Sequence, residues 1–166
     1  MRAVASCRAA MTAGFTLIEV LIALAILAVG LLGGVALLIE GLRASRSALQ
    51  QTVAATLAAD LADRIRSNRV AGASYALSED TVAATPAQTC TAVAECSATD
   101  VAVLDLYTWQ QTVLAQLPAA STSIEVEPVT ATSFHLFRIV IRWTESGDRT
   151  RSAFALTLQT LSLIHI

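Results

Sequence analysis

The segment from Phe15 to Ile39 constrains this chain more than any other, because it is apolar on every side and carries one charge, Glu19. About 20 apolar residues are enough for a helix to cross the hydrocarbon core of a bilayer. A secretory signal would have a shorter apolar run and a small-residue cleavage site after it. This run is longer and leads into ALLIEGLRAS. The segment therefore predicts a membrane helix that stays in the protein.

The leader before this segment, residues 1–14 (MRAVASCRAAMTAG), contains Arg2 and Arg8 and no acidic residue. Positive charge flanking a membrane helix favours the cytoplasmic side, so the remainder of the chain is expected outside. The whole chain is 55% hydrophobic and only 14% charged, with a net charge of −2. This balance argues against nucleic-acid binding, which requires a basic surface.

Glu19 is a carboxylate in a segment that could have been apolar throughout. An ionisable side chain inside hydrocarbon costs about 2–3 kcal/mol on insertion scales, and less near the interface. One interpretation is a side chain that merely reaches the interface; the other is a functional carboxylate with a cationic partner. If the chain is cut before Phe15, the new α-amine lies one helical turn from Glu19. The amine of a neighbouring copy is then a suitable counter-ion.

The residues Gly14-Phe15-Thr16-Leu17-Ile18-Glu19-Val20, with the apolar block after them, resemble the processing motif of type IV prepilins and type II secretion pseudopilins. The resemblance implies that a membrane prepilin peptidase cuts after Gly14 and methylates the new terminal Phe15. It also implies that Glu19 guides docking into a growing filament.

This resemblance also implies partners and a location. The partners would be the peptidase, other minor and major pilins through the N-terminal helix, the inner-membrane assembly platform and membrane lipid. The protein would cross the inner membrane once, with a periplasmic C-terminal domain, and then enter a pilus at the cell surface. No enzymatic activity and no cofactor or metal are expected.

The helical pattern continues beyond the membrane segment, over residues 40–69. An apolar stripe at helical spacing indicates an amphipathic continuation that packs on a domain and covers a sheet; its members are Leu42, Leu49, Val53, Leu57, Leu61 and Ile65. Asp60 and Arg64 are spaced for an ion pair. The pattern predicts that the helix ends near Asn68 and Gly72.

Three glycines, Gly30, Gly33 and Gly34, lie in the middle of the apolar segment. Each weakens a helix by about 1 kcal/mol relative to Ala. Small residues allow close packing between membrane helices, which is one explanation. The other is a site where the helix bends or melts on leaving the bilayer, and the sequence favours neither.

The globular part is predicted over residues 70–160, beginning with an Ala-, Ser- and Thr-rich loop over 70–96. Cys90 and Cys96 lie in this loop, whereas Cys7 would be lost with the leader. The remaining even pair favours a disulfide in an oxidising compartment. A metal site is the alternative, but two cysteines without a nearby histidine make a poor ligand set.

A short helix is predicted after the loop. Ser97 and Asp100 form a helix start, and Pro118 ends the pattern. The apolar spacing places Leu104, Tyr107 or Trp109, Val113, Leu114 and Leu117 together, and Trp109 is expected in the core rather than on a binding surface. The stretches DLYTWQQTVLAQLP and LAADLADRIRSNR are similar to one minor-pilin group, the type IV pilus modification proteins (PilV-like).

The pattern changes to a period of two after Pro118. Residues 123–129, 134–143 and 152–159 read as three strands with short connections, an antiparallel meander. The fold class is therefore α+β, pilin-like: one long N-terminal helix on a small antiparallel sheet, with a short extra helix before the sheet. Glu125 and Glu127 are expected on a solvated face. His135 stands without a nucleophile motif and is expected to be a structural strand residue.

The final residues, 161–166, read LSLIHI and do not resemble a pilin ending. The nucleotide string CTGTCTCTTATACACATC, a transposon-end adapter used in library preparation, translates to this hexapeptide. We expect these residues to be a sequencing artefact and exclude them from the fold prediction.

Three functions are compatible with these features. The first is a minor pilin, incorporated into or priming assembly of type IV pili and supporting adhesion or motility. The second is a type II secretion minor pseudopilin of the I-like type, whose leader would be nearly the same. The third is a membrane-tethered periplasmic enzyme, which would require a catalytic constellation that the sequence does not offer.

Overall fold

The structure is a computed structural model of the 166-residue chain, and it describes residues 14–87, 90, 96–129, 134–145 and 151–161. The elements are α1 (Leu17–Ser67), a 3₁₀ helix (Arg69–Tyr75), α2 (Ala98–Gln116), β1 (Ser121–Val129), β2 (Phe134–Thr144) and β3 (Arg151–Leu161). The chain divides into two compact units, Met1–Ala44 and Ser45–Ile166. The fold is α+β, with one long helix and a three-stranded antiparallel sheet, as predicted.

The first unit contains the N-terminal part of α1, and every described residue in it is exposed. α1 is 51 residues long and contains an 18-residue window of mean hydropathy 2.8, of which none is buried. By length and composition this helix can cross a membrane. Its apolar surface is not covered by the described residues of this unit, as a lipid-facing helix requires.

α1 passes through Gly30, Gly33 and Gly34 without interruption. A Cβ atom added at any of these three positions would meet no atom within 4 Å. The packing of the described chain therefore gives no reason for these glycines, and α1 is not broken at them.

In the second unit, one face of α1 forms a wall of the core, with the buried residues Ala54, Leu57, Ala58, Leu61, Ala62 and Ile65. The predicted stripe is thus confirmed from Leu57 to Ile65, with Val53 half-buried against the same core. It was wrong for Leu49, which is 64% exposed, and Leu42 in the first unit is exposed as well. The apolar period continues along the helix, but no described residue covers it before Val53.

The sheet is the predicted antiparallel meander, with strand order β1-β2-β3. The register places Ile124 opposite Ile139 and Ile139 opposite Leu156. Alternate residues of β2 are fully buried on the core side; they are Phe137, Ile139, Ile141 and Trp143. Glu125 and Glu127 point to the solvated side and are exposed, as predicted.

The prediction of an irregular loop over residues 70–96 was wrong at its beginning. The chain forms a 3₁₀ helix there and then an isolated bridge, in which Leu77 pairs with Ile124. Gly72 adopts a φ of 46°, which allows the turn after α1 that the sequence indicated. Tyr75 and Leu77 are buried in the core, so long-range packing orders a segment with weak local preferences.

The buried face of α2 differs from the predicted one. Its buried residues are Ala102, Leu106, Trp109, Gln110 and Val113. Leu114 was placed in the core by its spacing, but it is 44% exposed. α2 faces the core with Trp109, Gln110 and Val113, and Leu114 lies outside this buried face.

Candidate processing and assembly site

Gly14 and Phe15 precede α1, and both are exposed. The Phe15 side chain is 82% exposed, and no atom lies within 4 Å of the position of a Cβ added to Gly14. The predicted cleavage bond is therefore exposed in the described part of the chain. The leader residues 1–13 lie outside the described residues.

Thr16 caps the N-terminus of α1. Its Oγ1 accepts a hydrogen bond from the Glu19 backbone N–H at 3.3 Å, and its carbonyl oxygen accepts from the N–H groups of Glu19 and Val20 at 3.1 and 3.3 Å. These bonds satisfy N–H groups that a helix start otherwise leaves without partners. Sequence reasoning overlooked this role, although Thr16-Leu17-Ile18-Glu19 has the spacing of a capping box.

Glu19 is the acidic residue in the first turn of α1. The helix dipole places partial positive charge at this end, so a carboxylate there is favoured over one elsewhere in the apolar segment. The Glu19 side chain is exposed within the first unit. Its charge is therefore available to a partner outside the chain.

Two family models match the chain in succession. Residues 10–35 match the model of the prokaryotic N-terminal methylation motif. Residues 36–107 match the model of the Tt1218-like family, which is described as type IV pilin Tt1218. The chain is a type IV prepilin-like protein. The first match contains Gly14, Phe15 and Glu19 together, which identifies the exposed start of α1 as the motif region of a membrane-anchored pilin. No curated protein and no solved structure matches the chain.

The second match runs from the first unit of the pilin through the 3₁₀ helix and into α2. Pilins are structural proteins rather than catalysts. Among the described residues, no group of three or more His, Cys, Asp or Glu side chains could hold a metal ion. The polar groups in this region serve the packing of helices, as the following contacts show.

Cys90 and Cys96 form the predicted disulfide. Residues 88–89 and 91–95 lie outside the described part of the chain. The disulfide leads directly into α2, because Ser97 is the N-cap of that helix. The bond therefore fixes the chain immediately before α2 begins.

The N-terminus of α2 has a complete capping box. Ser97 Oγ accepts from the Asp100 N–H at 3.2 Å, and Asp100 Oδ2 accepts from the Ser97 N–H at 3.0 Å. The Ser97 hydroxyl also donates to Asp100 Oδ2 at 2.7 Å. These hydrogen bonds, the one from the Ser97 hydroxyl first, lower the pKa of the Asp100 carboxyl. The sequence predicted this helix start.

A polar network connects α1, the 3₁₀ helix and α2. The Arg64 guanidinium contacts Asp60 at 3.1 Å and Asp105 at 3.2 Å, and the Tyr75 hydroxyl donates to Asp105 Oδ2 at 2.7 Å. Asn68 Nδ2 donates to the Tyr75 oxygen at 3.2 Å and to the backbone oxygen of Ala98 at 2.8 Å. Only the Asp60–Arg64 pair was predicted, because the other partners are distant in sequence.

Tyr75 is buried completely. Burial disfavours its anionic form, and the hydrogen bond to the Asp105 carboxylate disfavours it further, so the pKa of the Tyr75 hydroxyl is raised well above its usual value. The hydroxyl remains a donor over the whole neutral range. It therefore supplies one of the hydrogen bonds that the half-buried Asp105 carboxylate needs between the two helices.

Trp109 is in the core, as predicted, with 1% of its surface exposed. Its indole N–H donates to the backbone oxygen of Leu57 at 2.8 Å, which joins α2 to α1. Its neighbour Gln110 accepts from the Ala83 N–H at 2.7 Å and donates to Thr81 O and Thr122 Oγ1 at 2.8 and 3.0 Å. The role of Gln110 was missed, since a single Gln beside an apolar stripe does not reveal its partners.

His135 is half-buried in β2 beside Gly72. A Cβ added to Gly72 would lie 3.6 Å from His135 Cε1, and the rings of His135 and Phe137 are 6.2 Å apart. These contacts agree with the structural role that the sequence suggested.

Proposed function

We propose that this pilin is a minor subunit of type IV pili, of the modification-protein group. In this proposal prepilin peptidase cuts after Gly14 and methylates Phe15. The processed chain is then incorporated into the pilus or primes its assembly. The observation that carries the proposal is the start of α1, where Phe15 precedes the apolar helix, Glu19 lies in its first turn, and both are exposed.

The chemistry of that helix start explains the role proposed for Glu19. An unpaired carboxylate in hydrocarbon is unfavourable, and the penalty falls when a cation lies beside it. Cleavage after Gly14 would create an α-amine at Phe15, and every copy of the processed protein would present both groups. The amine of one subunit and the Glu19 carboxylate of its neighbour can therefore select each other during assembly.

The minor rather than major role is supported by two segments of the second unit. DLYTWQQTVLAQLP forms most of α2, and LAADLADRIRSNR forms the C-terminal end of α1 and the residues after it. Both are similar to segments of the modification-protein group. The Trp109–Leu57 hydrogen bond and the Arg64–Asp105 ion pair join these two segments, so they act as one packing unit.

The proposed partners follow from this function. They are the prepilin peptidase, other pilins along the N-terminal helix, the inner-membrane assembly platform and lipid before assembly. The second unit is proposed to be periplasmic, and the Cys90–Cys96 disulfide supports an oxidising compartment. No enzymatic activity, cofactor or nucleic acid is included in the proposal.

A type II secretion minor pseudopilin is the alternative function, favoured by the same processing motif. The neighbouring genes discriminate the two functions directly, since minor pilin genes and secretion-channel genes would accompany different subunits. A deletion strain gives the functional test. Loss of surface pili with normal secretion supports the proposal, and loss of secretion with normal piliation supports the alternative.

The role of Glu19 is tested by complementing that deletion with variants. Glu19→Val should be processed like the native chain but should fail to restore piliation, because it removes the docking charge without disturbing the apolar helix. Glu40→Gln is the matched control, since Glu40 is an exposed acid on the same helix that pairs with Arg43. Full piliation with Glu19→Val would contradict the proposal.

A further inference from the structure

The face of α1 that lies on the core changes in character along the helix. Its buried residues are apolar and begin at Ala54. At helical spacing before Ala54, the same face carries Gln50 and Ser47, which are polar and only half-buried. Residues 45–52 include no buried residue, and the Leu49 side chain is already 64% exposed. Burial of apolar surface therefore does not hold residues 45–52 in place.

A carboxylate at the end of the sheet holds this part of α1 instead. Glu145 follows directly after β2 and is half-buried. Its Oε1 accepts hydrogen bonds from the Ser47 hydroxyl at 2.9 Å and from the Ser152 hydroxyl, on β3, at 2.7 Å. Hydrogen bonds to an ionised acceptor are roughly twice as strong as those between neutral groups. One oxygen atom therefore ties α1 to the end of the β2–β3 pair.

The other polar ties of α1 lie further along the helix. Among the described residues, the remaining side-chain hydrogen bonds between α1 and distant elements go to α2, from Arg64 and to the backbone oxygen of Leu57. Both positions come after Ala54, where apolar packing already attaches the helix. Loss of the Ser47–Glu145 contact would therefore leave residues 45–52 without a hydrogen bond to the sheet in the described part of the chain.

We propose that Ser47 and Glu145 form a latch, and that residues 45–52 of α1 separate from the sheet as one helical segment when the latch opens. With the latch closed, α1 leaves the sheet at Ser47. With the latch open, α1 leaves it at Val53, about 9 Å further along the helix axis at 1.5 Å per residue. The open form exposes polar side chains that water solvates, so the core stays intact. This inference is independent of the proposed function, since the latch lies within the second unit.

Cysteine reactivity tests the separation. The experiment uses the full chain in detergent micelles with Cys7→Ser, in which the natural disulfide is already bonded. One added cysteine is the probe, and its rate of reaction with a water-soluble maleimide is measured. Gln50→Cys reports on the latch segment, Ala54→Cys on the first buried position, and Gln51→Cys on an exposed position of the same helix.

The two latch variants, Ser47→Ala and Glu145→Ala, should each raise the rate at Gln50→Cys about tenfold, because each removes a hydrogen bond to a charged group. The rates at the other two probe positions should not change. Ala is a better helix former than Ser, so Ser47→Ala opens the latch without weakening α1. Glu79→Ala is the matched control and should leave every rate unchanged, since Glu79 pairs with Arg142 rather than with α1.

Three results would overturn the proposal. An unchanged rate at Gln50→Cys in both latch variants would show that the hydrogen bond does not hold the segment. An equal rise at Gln50→Cys and Ala54→Cys would show a general loosening of the core. A rise with Glu145→Ala but not with Ser47→Ala would assign the effect to the end of the β2–β3 pair rather than to the latch.

Discussion

At the scale of single residues, the first turn of α1 combines two functions. Thr16 holds the backbone of Glu19 through its hydroxyl and carbonyl oxygens, and the Glu19 carboxylate remains exposed. The spacing of Gly14, Phe15 and Glu19 was evident in the sequence because it is local. The capping role of Thr16 depends on an equally local spacing, since Thr16 and Glu19 are three residues apart.

Tyr75 should make the protein sensitive to alkali. Its pKa is raised in the folded state, so its contribution to stability is complete below the unfolded value of about 10 and is lost as pH rises above it. The chain contains no lysine and only two tyrosines, so few other groups titrate in this range. Tyr75→Phe should be less stable than the native protein at pH 7. It should lose less stability than the native protein between about pH 9 and pH 12, the range in which tyrosine side chains ordinarily begin to ionise.

Tyr107→Phe is the matched control for that experiment, because Tyr107 is only half-buried. Urea unfolding of the two variants at a series of pH values gives the comparison. An alkaline slope that is unchanged in Tyr75→Phe and reduced in Tyr107→Phe would contradict the role of Tyr75.

The Asp100 carboxyl should make the stability of the protein depend on pH in the opposite direction, with a loss at acid pH. Its pKa is lowered by Ser97, so its stabilising effect is present above the unfolded value near 3.8 and is lost as pH falls through the lower, folded value. Ser97→Ala should destabilise the protein by about 1 kcal/mol at pH 7. Asp100→Asn should reduce the acid sensitivity. Thermal unfolding between about pH 2 and pH 7 measures both effects. Gln111→Ala, at an exposed position of the same helix, is the control. If the loss of stability at acid pH were unchanged in Asp100→Asn, the role given to Asp100 would be refuted.

At the scale of elements, α1, α2 and the three strands follow from local signals. Apolar spacing, Ser97, Pro118 and the alternation after it set their type and approximate ends. The 3₁₀ helix and the Leu77 bridge do not follow from such signals, because their partners come from distant parts of the chain. The same applies to the outward position of Leu114, since the orientation of α2 depends on what Trp109 and Gln110 contact.

The Trp109 hydrogen bond is one of these non-local contacts, and the chain offers a matched comparison. Trp109 and Trp143 are each 1% exposed, but the indole N–H of Trp143 finds no acceptor among the described residues. Both replacements by Phe leave a cavity, and only Trp109→Phe also removes a partner from a buried carbonyl oxygen.

Trp109→Phe should therefore cost about 1–2 kcal/mol more in unfolding free energy than Trp143→Phe. Denaturant unfolding of both variants at neutral pH measures the difference. Equal losses would show that the Trp109–Leu57 bond contributes nothing beyond ring packing.

At the scale of the whole molecule, the chain is a membrane-anchored pilin with two units that differ in whether their apolar residues are exposed or buried. The first exposes an apolar helix and the second buries a core of its own. The sequence shows a change of hydropathy and periodicity after Ile39. It also predicted the disulfide, since Cys90 and Cys96 remain once the leader is removed.

The N-terminus of the protein in cells tests the central claim most directly. Mass spectrometry of the native protein, isolated from membranes and from sheared pili, should find N-methylated Phe15 as the first residue in both fractions. A Gly14 variant with a bulky side chain should remain in the membrane with its leader attached, as the control for cleavage at this bond. An intact Met1 terminus in assembled pili would contradict the account.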